Sequence, residues 1–122
     1  MKTTQLFAAL TTIAATNADG YTVNAKTLQP ITTGYAVAVA ATQNSFGPEG
    51  LAKVIKYVQD HPEIDAFGGW YNSEDEQYYY DATIIVATKV EAIELARINK
   101  QLAFYCLDNG KAYDQNGNEK KA

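Results

Sequence analysis

The chain has 122 residues, 47% hydrophobic and 20% charged, with a net charge of −4 and ten Lys and Arg. That size suits one domain with a core of its own, built without disulfide or metal staples. No run approaches the ~20 apolar residues of a membrane-spanning helix, and the scattered cations, apart from Lys120-Lys121, argue against broad contact with a nucleic-acid backbone.

The N-terminal segment opens with Lys2 and runs through Leu6-Phe7-Ala8-Ala9-Leu10. Leu6, Leu10, Ile13 and Ala14 recur at helical spacing, which predicts one apolar face of an amphipathic helix. Thr3 or Thr4 is the expected cap, and Asp19-Gly20 the expected end. The alternative is a secretory signal cleaved after Ala18. Thr11-Thr12 interrupts the apolar run and a single basic residue leads it, so the helix is the expectation, and with it a cytoplasmic rather than a secreted protein.

Tyr21 to Ala25 alternates apolar and polar residues and reads as a short strand. A loop containing Pro30 ends at Gly34. Tyr35 to Ala41 reads as a second strand, with Tyr35, Val37 and Val39 on one side and Ala36, Ala38 and Ala40 on the other. A face of alanines admits a helix or another backbone closely, which predicts a central strand. Thr42 to Gly47 reads as a polar loop. Pro48 suits the first turn of a helix, and Leu51, Val54, Ile55 and Val58 then form the clearest helical stripe in the chain. His61-Pro62 closes it.

Ile64 to Tyr71 reads as a strand in which Gly68-Gly69 marks a bulge, a bend or a close backbone approach. Asn72 to Glu76 is the turn into Tyr78 to Ala87, the longest predicted strand. Alternation puts Tyr78, Tyr80, Ala82, Ile84 and Val86 on a core face, and Gln77, Tyr79, Asp81, Thr83 and Ile85 on a solvent or ligand face. Thr88-Lys89-Val90-Glu91 is a capping box, opening a helix to about Asn99 with Ala92, Ile93, Leu95 and Ala96 as its buried stripe. Leu102 to Leu107 reads as a strand whose alternation groups Cys106 with Leu102 and Phe104 on the core side. Asn109-Gly110 is a tight-turn signal, with Lys111 to Tyr113 as a short return. Residues 1–114 are thus expected to form one domain, and residues 115–122 a polar, flexible tail.

The element order, α-β-β-α-β-β-α-β, predicts a compact α+β domain. Its sheet is expected to be mainly antiparallel, with four to six strands, and to carry about three helices. A helix between two strands leaves room for one parallel pair.

The run Gly69-Trp70-Tyr71, acidic turn, Tyr78-Tyr79-Tyr80-Asp81, followed by the helix Thr88 to Asn99 and by Gln101-Leu102-Ala103-Phe104-Tyr105, resembles a pattern in small proteins of phages and conjugative elements of gut bacteria. The resemblance spans roughly residues 20 to 113. It implies a bacterial mobile-element setting and transfers no chemistry.

Several constellations bear on function. Cys106 with His61 is a weak nucleophile–base pair, since Cys106 falls on the core side and a catalytic thiolate needs exposure. Gly47-Pro48-Glu49-Gly50 offers backbone N–H groups at a helix start, but no Lys-Ser/Thr follows and Glu49 repels an anion. Asp65 and Asp81 lie on adjacent strand arms and are expected to oppose one another, which is the basis of a metal-dependent hydrolase reading. Trp70, Tyr71, Tyr79 and Tyr105 on a sheet face suit single-stranded nucleic acid, against the sign of the surrounding charge. An acidic, aromatic hairpin also suits a protein partner, with Trp and Tyr as anchors and the acidic tip steering a basic surface. The expected function is that of a non-enzymatic, protein-binding accessory protein, with Trp70, Tyr71, Tyr79 and Asp81 as binding residues. No cofactor or resident metal is expected.

Overall fold

The computed structural model describes residues 2–120; Lys121 and Ala122, the last of the expected tail, lie outside the described residues. Three α-helices and seven strands follow in the order α1 (Thr3–Thr16), β1 (Gly20–Asn24), β2 (Tyr35–Ala38), β3 (Ser45–Phe46), α2 (Gly47–Asp60), β4 (Ala66–Asn72), β5 (Gln77–Val86), α3 (Lys89–Ile98), β6 (Ala103–Cys106) and β7 (Lys111–Asp114). The sheet order is β1-β4-β5-β2-β6-β7, with β3 pairing β5 off this path. The domain is α+β, as its sequence predicts.

Every pairing among the described strands is antiparallel. The parallel neighbours that a helix crossover allows do not form, for a topological reason. α2 joins β3 to β4, which run the same way but lie on either side of β5. α3 joins β5 to β6 with β2 between them. Each helix therefore steps over one intervening strand.

The register fixes the faces. Tyr35, Val37, Ile84, Val86, Phe104 and Cys106 share one side, and Val23, Phe67, Tyr80 and Ala82 continue it. All three helices pack there. α1 and α2 bury Leu6, Leu10, Leu51, Val54 and Ile55 against Val23, Phe67, Tyr80 and Ala82. α3 buries Ala92 and Ala96 against Val37 and Phe104. The bulky face of β2 holds the helix rather than the alanine face, because Tyr35 and Val37 bury more apolar area against it.

Local chemistry explains the element ends. Lys2 rather than Thr3 or Thr4 is the capping residue of α1, and the Gln5 side chain accepts the Lys2 N–H at 3.0 Å. It stops at Thr16, where the Asn17 side chain donates to the Ile13 carbonyl at 2.9 Å. β2 ends at Ala38 rather than Ala41. The Val39 N–H still reaches the Ala82 carbonyl, and the chain then coils through Ala40–Thr42. The Thr42 hydroxyl accepts the Ala82 N–H at 3.0 Å, which frees β5 to pair with β3 beyond that point. At α3 the Thr88 hydroxyl accepts the Glu91 N–H at 3.2 Å and donates to the Glu91 carboxylate at 2.8 Å. That carboxylate answers the hydroxyl instead of the backbone N–H a capping box predicts. Leu102 precedes β6 and is exposed, so it does not join Phe104 and Cys106 in the core, where strand alternation predicts it.

The segment after β7 folds back. The Asp114 carboxylate accepts the N–H groups of Asn116 and Asn118 at 2.8 and 3.1 Å, turning the chain. Lys120 N–H then donates to the Ala112 carbonyl at 2.8 Å, and Arg97 donates to the Gln115 carbonyl. Residues 115–120 thereby cover the outer side of β7, as the bridge from Val23 to Pro30 covers β1. Both sheet edges are shielded from further strand pairing.

Candidate functional site: the open face of the sheet

Helices cover one side of the sheet and leave the other open among the described residues. Its floor is built from Gly68, Ala36, Ala38, Ala103, Ala112 and Thr83, and it forms a trough of about 750 Å³. Ala36 and Ala38 on β2, with Ala103 on β6 and Ala112 on β7, keep that floor low. Three large apolar side chains stand at its rim: Trp70 is 45% exposed, Tyr105 44% and Leu102 74%. A side chamber of about 190 Å³ shares Trp70, Ala38, Gln43 and Asp81 with the trough.

The aromatic end is a built stack. Trp70 and Tyr79 face each other across β4 and β5, with ring centroids 4.9 Å apart and planes inclined by 19°. Phe46, opposite Tyr79 on β3, adds a second contact at 5.4 Å. The Tyr79 hydroxyl donates to the Asp75 carboxylate in the β4–β5 turn, and this bond raises the phenol pKa above its ordinary value, with partial burial adding to it. Asp75 also accepts the Gln77 N–H, while Asn72 accepts the Glu74 N–H, so the acidic tip is held by side chains.

Asp81 lies on the same face, opposite Gly68. A Cβ at Gly68 would meet the carboxylate, so glycine there makes its space. The Thr83 hydroxyl donates to the Asp81 carboxylate and is the one hydrogen-bond partner of that side chain among the described residues. Neither ion pair among those residues, Lys56–Asp60 and Lys111–Glu119, involves it. Burial pushes the Asp81 carboxyl up to about 6, against a partial lowering by the Thr83 bond. An ionisable group in a cleft with a perturbed pKa and no countercharge is a candidate functional residue.

The structure thus brings Trp70, Tyr79 and Asp81 together. Tyr71 does not join them. It pairs with Tyr78 across β4 and β5 and points to the helix-bearing side. There Tyr21 stacks near Tyr78, over Gly69, where a Cβ would enter the Tyr21 ring. The glycine pair therefore serves close approach on both faces, Gly68 for a carboxylate and Gly69 for a ring. Burial raises the phenol pKa of both Tyr21 and Tyr78, the latter to about 12.

Asp65 and Asp81 do not oppose one another. Gly68 stands across from Asp81, and the Asp65 carboxylate accepts the Ile85 N–H at 2.8 Å, a bond that caps the pairing of β4 with β5. No group of three or more His, Cys, Asp or Glu side chains among the described residues could hold a metal ion. Cys106 is buried on β6, whereas His61 stacks on Tyr57 at 3.9 Å and bonds the Tyr57 carbonyl at the end of α2. Phe46 and Leu102 complete the open face and are not apparent as site residues from the sequence, whereas alternation along β5 already places Thr83 there. The signal for that face is the alternation of small with large residues in β2. No family model, curated protein or solved structure matches the chain.

Proposed function

We propose that the protein is a non-enzymatic docking module that seats a basic, apolar segment of a partner protein on the open face of its sheet. One observation carries this reading: a concave apolar trough, rimmed by Trp70, Tyr105 and Leu102, lies on the side that no helix among the described residues covers. Monomeric proteins seldom leave such a patch without a use, and Trp and Tyr are the residues that anchor interfaces. Charge favours a basic segment. Asp19 and Asp81 line the trough, the tip of the β4–β5 hairpin carries Glu74, Asp75 and Glu76, and the chain has a net charge of −4. These charges would speed encounter with a cationic partner and lose that effect as salt rises. An accessory role of this kind is in keeping with the mobile-element resemblance.

A displayed library of random peptides, panned on the wild-type protein and on a Trp70→Ala/Tyr105→Ala double variant, tests the reading. Enriched peptides should combine Lys or Arg with apolar residues and lose at least tenfold in affinity on the double variant. A library that enriches nothing above an unrelated acidic protein, or peptides insensitive to both changes, would overturn it.

A further inference from the structure

The floor of the trough specifies more than a general basic character. Asp81 is the one acidic side chain set among the small residues of the floor, on β5, with β4 and β2 on either side. One of its two carboxylate oxygens is engaged by the Thr83 hydroxyl from the same strand face. Gly68 opposite leaves space and supplies no side-chain donor. Lys120, the cation that lines the trough among the described residues, stands beside Ala112 at the β7 edge, with β2 and β6 between it and Asp81. Trp70 sits two residues from Gly68 on β4, so its ring is the diagonal neighbour of Asp81 on the same face. One face of that ring stacks on Tyr79.

We propose that this corner is a lysine subsite. An ammonium group of the docked segment bonds the free oxygen of Asp81, while its alkyl stem lies along the small residues of the floor beside Trp70. The inference rests on the docking role above and deepens it. The choice of ammonium over guanidinium follows from the Thr83 bond. A guanidinium binds a carboxylate best through two parallel N–H···O bonds, one to each oxygen, and the Thr83 hydroxyl already competes for one of them. An ammonium is a compact point charge that one oxygen satisfies, and an aromatic face nearby adds cation–π attraction. The carboxylate, unpaired among the described residues, gains a countercharge on binding, which offsets the cost of its burial.

The probes are n-butylammonium, n-butylguanidinium and neutral 1-butanol, followed by amide shifts of Gly68, Asp81 and Thr83 and by emission of Trp70, the single Trp of the chain. The wild-type protein should bind butylammonium saturably, at least fivefold more tightly than butylguanidinium, with butanol weaker still. Asp81→Asn, which keeps shape and removes charge, should weaken the ammonium at least tenfold. Thr83→Val, which releases the second oxygen, should shift the preference toward guanidinium. Equal binding of butanol and butylammonium, an Asp81→Asn protein that binds the ammonium unchanged, or no ammonium binding at all would each overturn the subsite. The two readings fail separately. Peptides that bind equally with Lys, Arg or norleucine keep the docking role and remove the subsite. Ammonium binding without any peptide binding removes the docking role and leaves a site for small amines.

Discussion

At the scale of single residues, Asp81 carries the most consequence. Its place on the non-core face follows from alternation along β5, and the sequence alone shows that much. Its depth does not, because depth depends on Gly68 across the strand pair and on the walls of the trough. The energetic sign is definite. The folded-state pKa is raised from 3.8 to about 6, so the folded state favours the neutral carboxyl. The stability this group contributes is fully present below the unfolded pKa of 3.8 and is lost as pH rises through about 6. A shift of that size corresponds to up to ~3 kcal/mol between acid and neutral pH. Asparagine at the same position has no such dependence. Asp81→Asn should therefore be more stable than the wild type at pH 7, and the difference should close toward pH 4. Paired denaturant titrations across this range isolate the effect, because the other carboxylates are common to both proteins. A variant that is less stable at pH 7, or a difference that does not change with pH, would contradict this account of the trough.

At the scale of elements, the β4–β5 hairpin is the piece on which fold and site depend together. Its strands and turn are legible in the sequence, since Gly-Gly-Trp-Tyr, an acidic turn and a tyrosine-led strand leave little alternative. The helices are equally legible, because each carries an apolar stripe of three or more residues. β3 is not, because two residues are too short to show any alternation; Ser45–Phe46 pairs only because β2 coils away after Ala38. Tyr71 shows a related limit. The residue type suits a binding site, and only the register with Tyr78 reveals that it faces away from the trough. The glycine pair links the two faces of this hairpin. A methyl at position 69 meets the Tyr21 ring, which is packed between β1 and the core. Gly69→Ala should then cost ~1–3 kcal/mol through overpacking. Gly69→Ala in a Tyr21→Leu background should cost less, because the obstructing ring is gone. Equilibrium unfolding of the four proteins in this cycle measures the coupling, and a coupling near zero would mean that the ring has room to move aside.

At the scale of the whole molecule, one asymmetry organises everything else: helices on one side, trough on the other. Composition and element order predict the α+β class. They do not predict which side of β2 the helices take, because an alanine face permits close approach and a Tyr–Val face rewards it. The larger buried area decides, and the alanines are left as the floor of the trough. The asymmetry also separates stability from binding. α1 places Leu6, Leu10 and Ala14 in the core and leans Phe7 and Ile13 against it, all on the side away from the trough. Burial of a leucine side chain is worth ~1.5–3 kcal/mol, so the two leucines and their neighbours together contribute on the order of the ~5–15 kcal/mol by which a domain is stable. Removal of residues 1–18 should therefore bring the chain to the edge of unfolding although every trough residue, Asp19 included, is kept. Leu10→Ala, a milder change at a fully buried position, should cost ~2–5 kcal/mol. It should leave the affinity of the remaining folded protein for a trough-binding peptide within a factor of two. Urea titration with and without the peptide reads both quantities in one experiment, since a ligand that binds only the folded state raises the midpoint by an amount set by its affinity. If Leu10→Ala weakened the peptide as much as it weakened the fold, the two sides of the sheet would be coupled, and the trough would depend on the helix layer for its shape.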